Sequence, residues 1–98
     1  MHSGSHSVLI VEDDADVRGS LAVLLEGEGY RVIEAEHGLA ALDHLLHGLK
    51  VCLILLDLFM PEMNGFVFRA RQLEHPELSR IPVVVLSADS GALGRPVS

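Results

Sequence analysis

The sequence predicts an α/β fold built on a doubly wound parallel sheet, and two patterns carry this prediction. Short runs of consecutive Val, Ile and Leu recur along the chain with no polar alternation, which is typical of strands buried on both faces of a parallel sheet. Segments with helical spacing of apolar residues separate these runs, and such alternation predicts βαβ units with right-handed crossovers. A chain of 98 residues has room for a single domain.

The first predicted strand is the run at residues 8–11, and an amphipathic helix follows it. The apolar stripe of this helix consists of Val17, Leu21, Leu24 and Leu25, at the spacing i, i+4, i+7 and i+8. Either Asp13 or Asp14 is the expected N-cap, and Asp16 favours the first turn. Gly27 and Gly29 are expected to end the helix.

The second and third strands are predicted at residues 32–33 and 51–56, with a second helix between them. Its predicted stripe is Leu39, Leu42, Leu46 and Leu49, and Gly48 lies near its end. Cys52 lies inside the third apolar run, so we expect a small buried side chain there.

A third helix is predicted from about Gly65 to His75, and the fourth strand at residues 81–86. Its apolar stripe is expected to be Phe66, Ala70 and Leu73, with Phe68 on the opposite side. The pair His75-Pro76 is expected to close this helix. We interpret residues 1–7 as a frayed tail or an expression scar and assign residues 8–98 to the domain.

Composition and charge exclude several classes of protein. The chain is 49% apolar and 21% charged, with a net charge of −7, so it predicts a globular domain that does not bind nucleic acid through this segment. The longest apolar run has six residues, whereas a membrane-spanning helix needs about 20. The single cysteine excludes an internal disulfide. We therefore expect a cytoplasmic protein that does not enter membranes.

Acidic side chains follow two of the predicted strands, and a hydroxyl follows a third. Glu12, Asp13 and Asp14 come after the first strand, Asp57 after the third, and Ser87 after the fourth. In the flavodoxin-like order 2-1-3-4, these strand ends lie side by side at the edge where such sheets bind ligands. Converging carboxylates repel one another, so this arrangement predicts a divalent cation, Mg²⁺ or Mn²⁺, together with an anionic partner.

Helix capping is the alternative explanation for the first group of acids. An acid that follows a strand often caps the next helix, and Glu12-Asp13-Asp14 alone favours capping over metal binding. Asp57 shifts the balance, because it ends the most apolar strand and no predicted helix begins until about Gly65.

Three segments resemble the response regulator receiver domain, and the resemblance covers about residues 8–89. They are residues 8–14 (VLIVEDD), 55–65 (LLDLFMPEMNG) and 83–88 (VVVLSA). The order and spacing of the segments make the resemblance specific. It implies a phosphoacceptor signalling domain of a two-component system, not an enzyme, whose partner is a histidine kinase or a phosphotransfer protein.

The resemblance also implies a role for individual residues. Asp57 looks like the phosphoacceptor, and Glu12 and Asp13 look like the acid pair that holds Mg²⁺ with Asp57 and the backbone carbonyl of Phe59. Ser87 would sense the phosphoryl group. Phe59 and Asp89 would tune dephosphorylation, and our hypothesis is that the ring of Phe59 slows self-dephosphorylation by shielding the acyl phosphate from water.

The sequence departs from the family pattern after the fourth strand. Family members continue with a helix, a fifth strand that ends in Lys-Pro and a last helix, and these elements and that lysine are missing here. Arg95 stands too close to Ser87 to replace the lysine, and Arg differs from Lys as a phosphate ligand. The strand at residues 81–86 is then a bare edge and a candidate surface for self-association.

Two other functions remain open at this stage. One is an unphosphorylated dimerisation or interaction module of the same fold, which the missing lysine favours. The other is a phosphatase with an aspartyl nucleophile, which the position of Phe59 disfavours, because such enzymes usually carry an acid there. His44 and His47, three residues apart, are expected on a solvated helix face rather than in a metal site.

Overall fold

In the computed structural model, which describes residues 6–58 and 64–86, strands and helices alternate as the apolar runs predict. The elements in chain order are β1 (Ser7–Val11), α1 (Ala15–Gly27), β2 (Arg31–Ala35), α2 (Gly38–Leu46), β3 (Leu53–Asp57), α3 (Gly65–Leu73), α4 (Pro76–Ser79) and β4 (Val83–Leu86).

The four strands form one parallel sheet in the order β2-β1-β3-β4, which confirms the predicted fold class. The register aligns the carboxyl ends of the two central strands, since Val11 of β1 pairs with Leu56 of β3. At the next position along β3, Asp57 pairs with Leu86 of β4. The last residues of three strands therefore lie at one edge of the sheet.

Apolar side chains cover both faces of this sheet in two separate clusters. The larger cluster joins β1 and β3 to α2, α3 and α4, and its buried members are Leu9, Val11, Ala35, Ala41, Leu42, Leu45, Ile54, Leu56, Phe68 and Leu78. The smaller cluster lies on the α1 side and contains Val8, Ile10, Ala22 and Leu55. Because successive side chains on a strand point to opposite faces, the continuous apolar runs supply both clusters.

The predicted apolar stripe of α3 is wrong. Phe68 is fully buried in the larger cluster, whereas Phe66 is 55% exposed and Leu73 is also exposed. The reason lies at the start of the helix, where Gly65 packs directly against the end of β3. That contact fixes the rotation of α3 so that Gly65, Phe68 and Gln72 face the sheet.

The stripes predicted for α1 and α2 are only half right. Leu42 is buried, and Leu21 and Leu25 pack partly against the core, but Val17, Leu24, Leu39 and Leu46 are exposed. Alanines are among the buried residues of both helices, Ala22 in α1 and Ala41 in α2. Small side chains there let each helix approach the strands.

Several boundaries also differ from the prediction, and β1 already begins at Ser7. β3 begins at Leu53, and the predicted burial of Cys52 is wrong, because this residue precedes the strand. Cys52 is exposed, and its thiol donates to the carbonyl of Ser7 at 3.2 Å. β4 begins at Val83. Pro76 follows the end of α3 as expected, but it also starts the short helix α4, consistent with the preference of proline for the first helical position.

Buried Gln72 fixes the connection from α3 to β4. Its side-chain Nε2 donates to the carbonyl oxygens of Leu78 at 2.7 Å and Ile81 at 3.2 Å, and its Oε1 accepts from Arg69 at 2.8 Å. A fully buried amide is tolerated because these hydrogen bonds replace those it would make to water.

Among residues 6–58 and 64–86, the structure contains no helix with the length and apolarity needed to cross a membrane.

The two phenylalanines of α3 give a matched test of this packing. We expect Phe68→Ala to lower the free energy of unfolding by about 3–5 kcal/mol, because it leaves a cavity in the larger cluster. Phe66→Ala changes an exposed ring and should alter stability by less than about 0.5 kcal/mol. Urea unfolding followed by circular dichroism measures both. Equal losses in the two variants would contradict the rotation of α3 described above.

Candidate acidic site at the carboxyl edge of the sheet

The register of the two central strands brings two acidic residues side by side. Val11 pairs with Leu56, so the next residues, Glu12 and Asp57, come at the same level of adjacent strands. Both are largely buried, with 7% of Glu12 and 6% of Asp57 exposed. Asp13 follows Glu12 and is exposed.

The carboxylates of Glu12, Asp13 and Asp57 form one cluster, which we call the acidic triad. One oxygen from each of the three side chains lies within 4.8 Å of the other two. The expected convergence of acids from the ends of the first and third strands is therefore present in the geometry. An all-oxygen donor set of this size, with one member open to solvent, suits a hard cation such as Mg²⁺, which retains several waters.

The short loop between β1 and α1 divides its three acids between two tasks. Asp14 is the N-cap of α1, because its Oδ1 accepts from the backbone N–H groups of Asp16 at 2.9 Å and Val17 at 3.1 Å. The backbone N–H of Asp14 donates to Oε2 of Glu12 at 3.1 Å. The capping explanation is therefore confirmed for Asp14, while Glu12 and Asp13 lie in the cluster with Asp57.

Arg18 supports the same loop from the first turns of α1. Its Nη1 donates to the backbone carbonyl of Glu12 at 2.8 Å, and its Nε donates to Oε1 of Glu34 on β2 at 3.1 Å. This role of Arg18 was not predicted from the sequence. The sequence does contain a signal for it, namely an arginine near the N-terminus of a predicted helix. A positive charge there is unfavourable in the field of the helix dipole, so its presence indicates a specific acceptor.

The Asn64-Gly65 pair holds α3 against the end of β3. Asn64 caps α3, with its Oδ1 accepting from the N–H of Val67 at 3.0 Å. The N–H of Gly65 donates to the carbonyl of Leu58 at 2.9 Å. A Cβ at position 65 would lie 2.7 Å from the carbonyl oxygen of Asp57, so any larger residue would displace the strand end that carries this acid.

The environment of Glu12 favours its protonated form. Its pKa is raised from 4.5 to about 7, chiefly by burial and also by the charge of Asp57 and by hydrogen bonding with Asp57 and Asp13, against the lowering effect of the Asp14 N–H. A proton on Glu12 thus relieves part of the repulsion in the acidic triad. A divalent cation would relieve it as well and would compete with that proton.

Several other predicted site residues lie outside the described residues. They are Phe59, Ser87 and Asp89, and Arg95 lies outside the described residues as well. His44 on α2 and His47, the C-cap residue directly after it, are exposed, as expected. Nδ1 of His47 lies 3.2 Å from a carboxylate oxygen of Asp43. Among the described residues, the acidic triad is the one group of three or more metal-ligating side chains close enough to share an ion.

Replacing Glu12 by Gln tests the repulsion in the triad through its pH dependence. The pKa of Glu12 is higher in the folded state, so its stabilising contribution is complete below about pH 4.5 and is lost as the pH rises to about 7. We therefore expect Glu12→Gln at pH 8 without divalent cations to be more stable than the parent by about 1–3 kcal/mol, since a tenfold change in proton affinity corresponds to about 1.4 kcal/mol.

Urea unfolding at pH 4.5, 6 and 8 measures this difference. The two proteins should converge at the lowest pH, and millimolar Mg²⁺ should reduce the advantage of the variant at pH 8 by stabilising the folded parent. Glu36→Gln, at an exposed acid after β2, is the control. A difference between Glu12→Gln and the parent that does not change with pH would contradict the assigned pKa.

Known proteins share both the sequence pattern and this fold. The family model for the response regulator receiver domain matches residues 8–93. The two-component response regulator ORR3 of rice is 39% identical over 83 residues, which are 85% of this chain and 63% of that protein. The chain thus spans less than two thirds of the length of this relative.

Solved structures show the same relationship. A signal receiver domain of a histidine kinase from Syntrophus aciditrophicus is 33% identical and superimposes with a TM-score of 0.78, covering 84% of this chain and 61% of that one. The response regulator TrrA from Thermotoga maritima, solved in complex with Mg²⁺-BeF, is 26% identical with a TM-score of 0.76, covering 92% and 76%. The chain belongs to the response regulator receiver domain family of two-component signalling.

Proposed function

We propose that this receiver domain accepts a phosphoryl group on Asp57 in a reaction that depends on Mg²⁺ or Mn²⁺. The observation that carries the proposal is the acidic triad. A buried aspartate at the end of a central strand has two further carboxylates within 4.8 Å. Ionised acids that are buried close together cost folding free energy, so a charge-balancing cation gives the arrangement a function.

The proposed reaction is a phosphoryl transfer from a phosphohistidine of a histidine kinase or a phosphotransfer protein. One carboxylate oxygen of Asp57 forms a bond to phosphorus while the P–N bond to the donor imidazole breaks, and the electron pair of that bond stays on the imidazole nitrogen. The product is an acyl phosphate on Asp57. Most of the catalysis in such a transfer is positioning and charge stabilisation.

The residues present fit the cation that this chemistry needs. Glu12, Asp13 and Asp57 would hold it, and we expect the backbone carbonyl of Phe59, which lies outside the described residues, to be a further ligand. When bound, the cation supplies compensation for the negative charge on the carboxylates and on the transferred oxygens. The related response regulator TrrA was solved in complex with Mg²⁺-BeF, which supports a Mg²⁺ site of this kind.

The switch and its partners follow from the same proposal. The acyl phosphate adds negative charge at the sheet edge, and the hydroxyl of Ser87 would bind a phosphoryl oxygen and report its arrival. The domain would act as a signalling module rather than as an enzyme that releases product. A single free thiol suits a reducing compartment, and we propose that the domain works in the cytoplasm.

A second candidate function is an unphosphorylated interaction module of the same fold. Exposed apolar side chains favour it, among them Phe66 and Leu73 on α3 and Val84 on β4. Self-association through the strand at residues 81–86 would cover Val84 and the backbone of that strand. In this alternative the acidic triad is not phosphorylated.

Incubation with acetyl phosphate and Mg²⁺, read by intact mass, tests the proposed function. We expect the parent to gain one phosphoryl mass, and Asp57→Asn to gain none, because the amide is not a nucleophile toward phosphorus. Asp43→Asn, at an exposed acid on α2, is the matched control and should still be modified. Addition of EDTA should abolish the gain. A folded parent that binds Mg²⁺ but gains no mass would favour the interaction module.

The hypothesis about Phe59 is tested by the lifetime of the modified protein. We expect Phe59→Ala and Phe59→Asn to lose the phosphoryl group several-fold faster than the parent, since a smaller side chain admits water to the acyl phosphate. The decay of the mass gain after removal of acetyl phosphate gives the rate. Phe66→Ala, on the exposed face of α3, is the control. Equal decay rates in the parent and both Phe59 variants would refute the shielding.

A further inference from the structure

The guanidinium of Arg18 lies behind the loop that carries two members of the acidic triad. It bridges the backbone carbonyl of Glu12, at 2.8 Å from Nη1, and a carboxylate oxygen of Glu34, at 3.1 Å from Nε. We infer that Arg18, anchored by Glu34, is a positioning residue that sets the geometry of Glu12 and Asp13 for the divalent cation. This inference rests on the proposed function, because it concerns the cation site of that function.

The location of Arg18 is unfavourable without these two acceptors. It is the fourth residue of α1, where the helix dipole disfavours a positive charge. Only 18% of its side chain is exposed, against 44% for Glu34. The largely buried guanidinium of Arg18 is therefore held at the helix N-terminus by the carbonyl and the carboxylate that it binds. Its planar, forked donors can serve both acceptors at once, which the single ammonium of Lys cannot do in the same geometry.

The carbonyl of Glu12 is a sensitive point in the loop. It belongs to the same planar peptide unit as the N–H of Asp13. The direction of this carbonyl therefore determines the backbone orientation at the start of Asp13. The other groups of Glu12 are also held, since its N–H donates to the carbonyl of Ala35 at 3.1 Å and its carboxylate accepts from Asp14. Arg18 supplies the contact that fixes the carbonyl of this peptide unit.

Positioning and electrostatics make opposite predictions for Arg18. A positive charge near a cation site repels the cation, so charge alone predicts that Arg18→Gln binds Mg²⁺ more tightly and that Arg18→Lys binds it unchanged. Positioning predicts weaker binding in both variants. Residues that orient metal ligands typically change affinity by about 10- to 100-fold when replaced, so the sign and the size of the change are both measurable.

Isothermal titration of the metal-free chain with Mg²⁺ gives the Kd of each variant. We expect Arg18→Lys and Arg18→Gln to raise the Kd by about tenfold or more, and Glu34→Ala to raise it less. Glu36→Ala is the matched control for Glu34→Ala, because it removes an exposed acid two residues further along the chain without touching Arg18. A double variant with Arg18→Lys and Glu34→Ala should show non-additive effects, since the two residues act as one unit.

Thermal unfolding without metal separates positioning from simple destabilisation. A structural role alone would lower the melting temperature of the Arg18 variants and leave the Kd of the folded protein unchanged, and that result would overturn the inference. Unchanged or tighter Mg²⁺ binding in both Arg18 variants would also overturn it. If Arg18→Gln does not fold, the comparison of Glu34→Ala with Glu36→Ala replaces it, and equal Kd values for these two variants would overturn the inference. A folded parent that binds no Mg²⁺ would instead overturn the proposed cation site and, with it, this inference.

Discussion

Repulsion among three carboxylates is the constraint to which the carboxyl edge of this sheet is fitted. Two unit charges 4.8 Å apart interact by about 3 kcal/mol at the effective dielectric constant of a protein surface. Two of the three acids are largely withdrawn from the water that would otherwise screen them. Their proximity is not an accident of long flexible side chains, because it follows from the pairing of Val11 with Leu56 in the two central strands.

The surrounding backbone holds the acids together despite this repulsion. Donors meet the loop from several directions, including the N–H of Asp14 and the guanidinium of Arg18. On the other side, Gly65 lets α3 approach the end of β3 so closely that no Cβ fits between them. The raised pKa of Glu12 marks the strain that these restraints do not remove. A bound cation would relieve that strain, so the geometry that costs stability would also provide affinity for the cation.

The sequence predicts the strands and the acids well for a physical reason. Both are local signals, since an apolar run identifies a buried strand and the next residue necessarily lies at the strand's end. The faces of the helices were harder to predict. Phe66 and Phe68 are the same residue type and stand two positions apart, so local sequence does not distinguish them. The contact between Gly65 and β3 determines which of them is buried, and that contact is not local in sequence. Arg18 was missed for the same reason, because its partner Glu34 lies 16 residues away on another strand.

Charge balance gives a physical reason why the site would respond to phosphorylation if the proposed function is correct. On the proposed function, three ionised carboxylates carry three negative charges, a bound divalent cation leaves one, and the acyl phosphate then raises the excess to about two. The loop between β1 and α1 has little freedom to move in response to the added negative charge, because Glu12 is held through its N–H, its carbonyl and its carboxylate. New hydrogen-bond donors must therefore come from beyond that loop. Position 87 is well placed in the chain to provide one, because it follows Leu86, the residue that pairs with Asp57. On the proposed function, a rigid acid loop would therefore transfer the response to the neighbouring strand end, where the sequence supplies a serine.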